Sequence, residues 1–260
     1  MRYAEFDYIE IGAINDKTIM ARVWDNHWRG RKELKRDLSD EPLWPTIAEE
    51  LKKPGIVLEA GCGTGQWVQF LGSLEYTVIG LDYAYSGLAV GRSCNPELTL
   101  VQGDFKKMPF KPESFDYIVS FGAIEHDIDG PEEALKEFRR VLKGDGCLMC
   151  SVPCLNFYRT ISLPLLVLKR WLKCRKTLRY LWGKKAPFVF YEYMWSPGEY
   201  KSILENCGFR VLDIKGYGSS LKSRIGKSFD LVYGKINRLS SCHMMMAICQ
   251  KTKKDNSIDK

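Results

Sequence analysis

The sequence has no apolar run that is long enough to cross a bilayer. Its most apolar run, residues 161–168, is interrupted by Ser162 and Pro164, whereas a spanning helix needs about 20 predominantly apolar residues. The opening residues, MRYAEFDYIE, also lack the apolar centre of a signal peptide. We therefore expect a cytoplasmic protein.

Acidic residues are missing from one long stretch of the chain. Residues 146–191 contain no Asp or Glu, although the whole chain carries a net charge of +7. The basic residues of this stretch are Arg159, Lys169, Arg170, Lys173, Arg175, Lys176, Arg179, Lys184 and Lys185. Wound as a helix, residues 163–182 place Trp171 and Trp182 on an apolar face, with most basic side chains away from it. This pattern predicts a helical cap that either packs as a lid or dimer contact, or meets an anionic membrane peripherally through residues 163–185.

Disulfide bonds are not expected, although cysteine is frequent. The chain has nine cysteines, an odd number, and several fall in predicted buried strands, which favours reduced thiols. Cys147 and Cys150 are separated by an odd number of residues, so they face opposite sides of a strand and cannot share a metal ion. We predict no metal site from the sequence.

Strand and helix patterns alternate from about residue 56 onward, which predicts an α/β fold with a parallel sheet. The strands are predicted at 56–60, 77–81, 97–101, 115–121, 147–152, 209–214 and 244–250, and the clearest helices at 131–143 and 196–206. They make a Rossmann-like, seven-stranded, mostly parallel sheet with helices on both faces. Residues 1–54 are predicted as an N-terminal helical segment of one domain that continues over 55–250. A helical cap, 155–192, is inserted after the fifth strand, and 251–260 are expected to be a disordered tail.

A glycine-rich turn follows the first strand of this sheet. Gly61, Gly63 and Gly65 permit unusual backbone angles and let a ligand approach the main chain closely. Asp82 lies 21 residues after Gly61, at the end of the second strand, where a carboxylate accepts hydrogen bonds from ribose hydroxyls. A dinucleotide fingerprint would have its third glycine at the position of Gln66, and the carboxylate of Glu59 would repel a pyrophosphate. Both features argue against a nicotinamide-dependent oxidoreductase.

The glycine turn, Asp82 and the segments that follow them resemble the motifs of the class I S-adenosylmethionine-dependent methyltransferases, especially the group that includes quinone-biosynthesis and small-molecule enzymes. The resemblance covers about residues 55–152 and 195–215. The matching segments are Glu59-Ala60-Gly61-Cys62-Gly63-Thr64-Gly65, Asp82-Tyr83, Gly103-Asp104-Phe105 and Phe121-Gly122-Ala123-Ile124-Glu125-His126.

The resemblance implies S-adenosylmethionine as the cofactor and gives the matching residues their roles. The turn residues Gly61, Cys62, Gly63 and Gly65 wrap its methionine part, with Glu59 near the amino group. Asp82 binds the ribose, and Tyr83 lies beside the adenosine. Asp104 meets the adenine amino group, and Phe105 packs on the ring. Phe121 begins the loop that faces the methyl group and the substrate.

His126 is the candidate catalytic residue. The chain has three histidines, and this one follows the fourth strand, near the predicted methyl donor. An oxygen or nitrogen acceptor needs a general base, and imidazole titrates near neutral pH; a purely structural role for this loop histidine stays equally open. We predict a small-molecule or lipid-linked acceptor, methylated on oxygen. The loop after the fourth strand lacks the Asp/Asn-Pro-Pro-aromatic motif of amino-methylating nucleic-acid enzymes, which argues against nucleic acid. The main alternative is a catalytically silent cofactor-binding subunit.

Overall fold

The computed structural model describes residues 2–8, 24–28, 31, 33–35, 37–156, 159–160, 188–219, 239 and 242–252. Its strands are β1 (Arg2–Tyr8), β2 (Ile56–Ala60), β3 (Thr77–Asp82), β4 (Leu100–Gln102), β5 (Phe115–Phe121), β6 (Leu142–Pro153), β7 (Phe188–Trp195), β8 (Phe209–Ser219) and β9 (Cys242–Lys251). Its helices are α1 (Trp44–Glu50), α2 (Gln66–Gly72), α3 (Tyr85–Cys94), α4 (Glu132–Val141) and α5 (Pro197–Asn206), with a 3-10 turn at Ile124–His126.

Seven of the described strands form one sheet, in the order β4-β3-β2-β5-β6-β9-β8. The neighbours from β4 through β6 pair in parallel, whereas β9 pairs antiparallel with both β6 and β8. The sheet confirms the prediction of a Rossmann-like, mostly parallel α/β fold. Strand order reverses between β2 and β5, and ligands of open α/β sheets bind beyond the strand ends at such a point.

Apolar side chains pack on both faces of the sheet. One core joins the sheet to α4 and α5, through residues such as Phe138 and Tyr200. The other joins it to α1, α2 and α3, through residues such as Leu71 and Leu88. The helices therefore cover both faces, as predicted. Cys147 and Cys150 fall into different cores, as their odd spacing requires.

Helix α4 shows how local sequence sets the elements around the site. Pro131 precedes it, Glu132 and Glu133 occupy its first turn, and Arg139 and Arg140 its last, an arrangement that matches the helix dipole. The predicted end at residue 143 was wrong because β6 begins directly at Leu142. The third predicted strand was likewise misplaced: β4 covers Leu100–Gln102 rather than 97–101.

The chain outside the main sheet corrects two predictions. Residues 2–8 were expected to be helical, but they form β1, which pairs antiparallel with β7 from Arg2↔Trp195 to Tyr8↔Phe188. The cap was expected to extend to residue 192, yet β7 begins at Phe188. Both errors arise because this pairing is set by contacts between distant segments. The helix predicted at 163–182 and most of the 251–260 tail lie outside the described residues, although Lys251 itself belongs to β9.

The end of β6 ties β7 to the main fold. Cys154 pairs with Trp195 in a parallel bridge, and the Leu155 amide donates to the Trp195 carbonyl at 2.8 Å. Trp195 is itself fully buried. Among the residues with described structure, no helix has the length and apolar character to span a membrane.

Candidate active site

The glycine turn between β2 and α2 has the backbone that only glycine adopts without strain. Gly61 and Gly63 have φ angles of +81° and +54°, in the left-handed region. A Cβ at Gly61 would lie 2.4 Å from the Cβ of Ala123. The amides of Gly61 and Cys62 both donate to the carbonyl of Leu81, at 2.8 and 3.1 Å. The turn is therefore bound to the end of β3 and offers bare main chain to a ligand.

Asp82 ends β3 and fixes the turn through its carboxylate. Its Oδ2 accepts the Gly63 amide at 2.7 Å, and its Oδ1 accepts the Ala84 amide at 2.8 Å. The side chain is largely buried, and burial raises its pKa. Each carboxylate oxygen has a second acceptor position, so Asp82 holds the turn and still has capacity for ligand hydroxyls.

Glu59 lies beneath the turn and is only 4% exposed. Its Oε2 accepts the Val68 amide of α2 at 3.1 Å. Burial raises the pKa of this carboxyl well above its usual range, and the neighbouring Asp82 raises it further. A buried acid that faces a cavity suits a cationic ligand group and opposes a pyrophosphate.

The adenosine side of the predicted site is formed after β3 and β4. Tyr83 is half-buried, and burial beside Asp82 raises the pKa of its hydroxyl. The Oδ1 of Asp104 accepts the Lys106 amide at 2.8 Å, which closes the local turn. The ring of Phe105 lies 6.3 Å from that of Phe138, edge to face, so its packing on α4 fixes one wall of the site.

One cavity of about 500 Å³ connects these groups. Every predicted site residue except Gly65 lines it, namely Glu59, Gly61, Cys62, Gly63, Asp82, Tyr83, Asp104, Phe105, Phe121 and His126. Gly65 instead precedes α2 with a φ of +76°, and a Cβ there would lie 3.0 Å from Leu100. It serves the close packing of helix and sheet. The individual ligand contacts of these residues stay predictions.

A short helical turn, residues 24–28, covers the glycine turn, and sequence reasoning did not place it in the site. Trp24, Trp28 and Arg31 line the cavity. A Cβ added to Gly63 would lie 2.5 Å from the Trp28 ring, so the indole rests against this glycine. The Arg31 guanidinium lies 4.7 Å from the Trp28 ring centre. The aromatic character of the N-terminal segment was the available signal, but its contact partner is distant in sequence.

Hydrogen bonds anchor this helical turn to the start of α3. The Ser86 amide and hydroxyl donate to Asp25 Oδ1 at 3.0 and 2.7 Å, and the hydroxyl also approaches the Asp25 carbonyl at 2.9 Å. Gly87 follows, and a Cβ there would lie 3.0 Å from the Trp28 ring. The start of α3 therefore holds the turn over the cavity.

His126 lies in the 3-10 turn that follows β5, and it lines the cavity. Its ring is 4.8 Å from the ring of Trp24, in an edge-on arrangement. Beyond it, Asp127 pairs with Lys106 at 2.9 Å. Trp67 and Phe121 also line the cavity, and their ring centres lie 5.3 Å apart. The cavity lining thus combines apolar rings with one imidazole.

Two carboxylates lie behind His126. Glu125 is buried, and burial raises the pKa of its carboxyl well above the usual range, with a further contribution from Glu192. Ligand atoms of Glu125, His126 and Glu192 all lie within 4.8 Å of one another. The sequence predicted no metal-ligand set, because Glu192 comes from β7, 66 residues after His126.

Comparisons with known proteins agree with this geometry. The model of a methyltransferase domain family matches residues 58–150. A demethylmenaquinone methyltransferase of Staphylococcus carnosus is 30% identical over 185 residues, which cover 65% of this chain and 73% of that protein. A protein of Mycobacterium tuberculosis, named as a probable S-adenosylmethionine-dependent methyltransferase, is 37% identical over 97 residues. That match spans 37% of this chain and about a third, 35%, of the relative.

Solved structures share the fold. An S-adenosylmethionine-dependent methyltransferase from Methanosarcina mazei superposes with a TM-score of 0.58 at 20% identity, over 81% of this chain and 98% of that chain. A 1,6-didemethyltoxoflavin N1-methyltransferase of Burkholderia thailandensis, solved with 1,6-didemethyltoxoflavin and S-adenosylhomocysteine, gives 0.56 at 14% identity over 96% of both chains.

The cavity fits the cofactor that these relatives imply. Its glycine turn leaves space that a Cβ would fill, and buried Glu59 and Asp82 face it with carboxylates, as an ammonium group and ribose hydroxyls require. The relative from S. carnosus establishes the family over most of its own length. The chain therefore belongs to the class I S-adenosylmethionine-dependent methyltransferases, and S-adenosylmethionine is its cofactor.

Proposed function

We propose that this protein methylates an oxygen atom of a small-molecule or lipid-linked acceptor. The observation that carries the proposal is the position of His126, which lines the same cavity as the glycine turn and Asp82. A hydroxyl acceptor must lose its proton as it is methylated, and imidazole is suited to accept a proton near neutral pH.

The apolar residues that line the cavity together with His126, which we call its acceptor end, favour a substrate with apolar or aromatic character. Trp24, Trp67 and Phe121 line this end, together with Ile128, which is an exposed apolar side chain. Aromatic walls of this kind bury flat apolar groups and leave few polar contacts to fix orientation. A relative named for demethylmenaquinone also supports an acceptor of this class.

Different residues around the cavity bind the cofactor, bind the acceptor and accept the proton. The bound cofactor supplies an activated methyl group. The glycine turn, Glu59 and Asp82 hold that cofactor, and the aromatic wall holds the acceptor close to it, at about 3 Å for reaction. In the metal-free protein, His126 accepts the acceptor proton. The turn of residues 24–28 excludes water from the bound cofactor and acceptor.

A transfer assay tests the proposal. Cell extracts are incubated with the protein and S-adenosylmethionine labelled in its methyl group, and the labelled product is then isolated. His126→Ala should lower turnover about 100-fold, because a general base contributes about 10²–10⁴-fold, while affinity for S-adenosylhomocysteine stays unchanged.

His243→Ala is the matched control, because His243 is exposed on β9 and bonds Arg159 outside the cavity. Equal turnover of the His126 and His243 variants would remove His126 from the reaction. A protein that binds S-adenosylhomocysteine but labels nothing in any extract would instead be the silent binding subunit.

A further inference from the structure

We propose that Glu125, His126 and Glu192 bind a divalent transition-metal ion, Mn²⁺ or Zn²⁺, directly behind the part of the cavity wall that His126 forms. The catalytic part of this inference rests on the proposed function, whereas the binding itself does not. One ligand atom of each side chain lies within 4.8 Å of the other two. One imidazole and two carboxylates are a donor set that Zn²⁺ and Mn²⁺ accept. The two carboxylate charges also equal the charge of the ion.

The buried carboxylate of Glu125 is the second observation that points to a ligand. Glu125 is 1% exposed, and its Oε2 has no hydrogen-bond partner among the described residues. A buried polar oxygen without a partner is costly, and a native protein rarely keeps one without a function or a missing ion. A cation between Glu125 and its neighbours would satisfy this oxygen.

The fold brings Glu192 to this place by contacts of its own. Strand β7 packs against the 3-10 turn that carries Glu125 and His126. Next to Glu192, the Tyr193 hydroxyl donates to the Ile128 carbonyl at 2.8 Å, just beyond the turn. Trp195 anchors the end of the same strand to β6. The strand that carries the third ligand is therefore held against the turn by packing.

The three ligand atoms are grouped, but they are not drawn in around an ion. Ligand atoms at about 2.0–2.2 Å from a tetrahedral ion are about 3.3–3.6 Å apart, and the three atoms here all lie within 4.8 Å of one another. Metal binding would therefore draw the side chains closer together. Asp127 is a neighbouring acid outside the set, because its carboxylate pairs with Lys106 at 2.9 Å.

Three protein ligands leave coordination positions open, as in catalytic metal sites. His126 lines the cavity, and Gly122 has no side chain beside Glu125, where a Cβ would lie 3.6 Å from Oε1. An acceptor hydroxyl bound at the open position would ionise at lower pH, as metal-bound water does, and release its proton to solvent. With the ion bound, His126 is a ligand and promotes loss of the acceptor proton through the ion.

Metal binding by the full chain tests the inference directly. The protein is treated with a chelator, dialysed and titrated with Mn²⁺, and the electron paramagnetic resonance signal of free Mn²⁺ is followed. We expect one saturable site per chain. Glu192→Gln should weaken Mn²⁺ binding at least tenfold, because it removes one of the two anionic ligands. Asp129→Asn is the control, since Asp129 is a largely exposed acid that lines the cavity and is not one of the three ligands.

The two proposals fail separately. Absence of saturable Mn²⁺ and Zn²⁺ binding, or equal Mn²⁺ affinity of the wild type and Glu192→Gln, overturns the metal site. Glu125→Gln is a second variant, used if its melting temperature shows that it folds. Methyl transfer that is undiminished after chelation overturns the catalytic part. A wild-type protein that does not bind S-adenosylhomocysteine would contradict the proposed function, and the result for metal binding would still stand.

Discussion

At the scale of single residues, Asp82 serves both the glycine turn and the predicted ribose site. Asp82→Ala removes two backbone hydrogen bonds of 2.7 and 2.8 Å and the carboxylate that faces the cavity. We expect binding of S-adenosylhomocysteine to weaken by about 1–3 kcal/mol, which is the range for charge-assisted hydrogen bonds. Calorimetry measures the loss, with Asp129→Ala as the control for an acid on the cavity wall. An unchanged affinity would show that Asp82 acts only within the turn.

The buried carboxyl of Glu59 should lower the stability of the cofactor-free protein at neutral pH and at the same time promote cofactor binding. Burial raises its folded-state pKa above the ordinary value of 4.5. The contribution of Glu59 to the free energy of unfolding is therefore full below about pH 4.5. It decreases as the pH rises towards the folded-state pKa, because the carboxyl ionises first in the unfolded chain. The Glu59→Gln variant has no carboxyl at this position and does not lose this stability. Relative to the wild type, the cofactor-free variant should gain melting temperature as the pH rises from about 5 to 8.

The same variant should bind S-adenosylhomocysteine less tightly, because it lacks the anionic partner for the amino group. Thermal denaturation at several pH values and calorimetry measure the two effects. A melting-temperature difference that stays constant with pH would mean that the folded protein does not raise the pKa of Glu59.

The site residues that the sequence alone placed in the cavity are those whose positions follow from a local pattern. The glycines, Glu59 and Asp82 follow predicted strands at fixed spacings, so their meeting at one sheet edge follows from the parallel fold. Trp28 and Glu192 carry no such local signal. Their places depend on packing against segments far away in the chain, which a single sequence does not reveal.

At the scale of elements, the turn of residues 24–28 depends on α3 for its position. Ser86→Ala removes the hydroxyl bonds to Asp25 at 2.7 and 2.9 Å. Each such bond contributes about 0.5–1.5 kcal/mol, so we expect the affinity for S-adenosylhomocysteine to fall several-fold as Trp28 loses support. Ser93→Ala is the control, since Ser93 is an exposed serine of the same helix whose hydroxyl donates to the Val90 carbonyl of that helix. Equal affinities would show that the turn holds without this anchor.

The elements of the main sheet were predictable in kind and order, and their ends were less so. Regular alternation of apolar strands and amphipathic helices gives the doubly covered sheet. The pairing of β1 with β7 was missed, because it joins residues 2–8 to 188–195 and β propensity depends on such partners.

At the scale of the whole molecule, we propose that the basic stretch 163–185 meets an anionic membrane. These residues lie outside the described structure, and the support is their charge: residues 146–191 hold nine basic residues and no acid. Each basic residue near an anionic surface contributes about 1 kcal/mol. The protein should therefore sediment with anionic vesicles at low salt and be released at high salt.

The charge of four residues is the variable in this experiment. Changing Lys169, Arg170, Lys173 and Lys176 to Gln should abolish the preference for anionic over neutral vesicles and leave S-adenosylhomocysteine binding intact. Native protein that ignores anionic vesicles at low salt would contradict the membrane proposal and favour a packing lid.

The pairing of β1 with β7 also sets an order of events during synthesis. The segments that form the glycine turn and Asp82 leave the ribosome early, and their contacts are local. Strand β1 leaves before them, yet its partner β7 follows 180 or more residues later, roughly 10–40 s at ordinary elongation rates. The corner that holds Glu192 therefore closes only after the glycine turn and Asp82 have been made, so a nascent chain has the segments of its cofactor cradle before its acceptor site is complete.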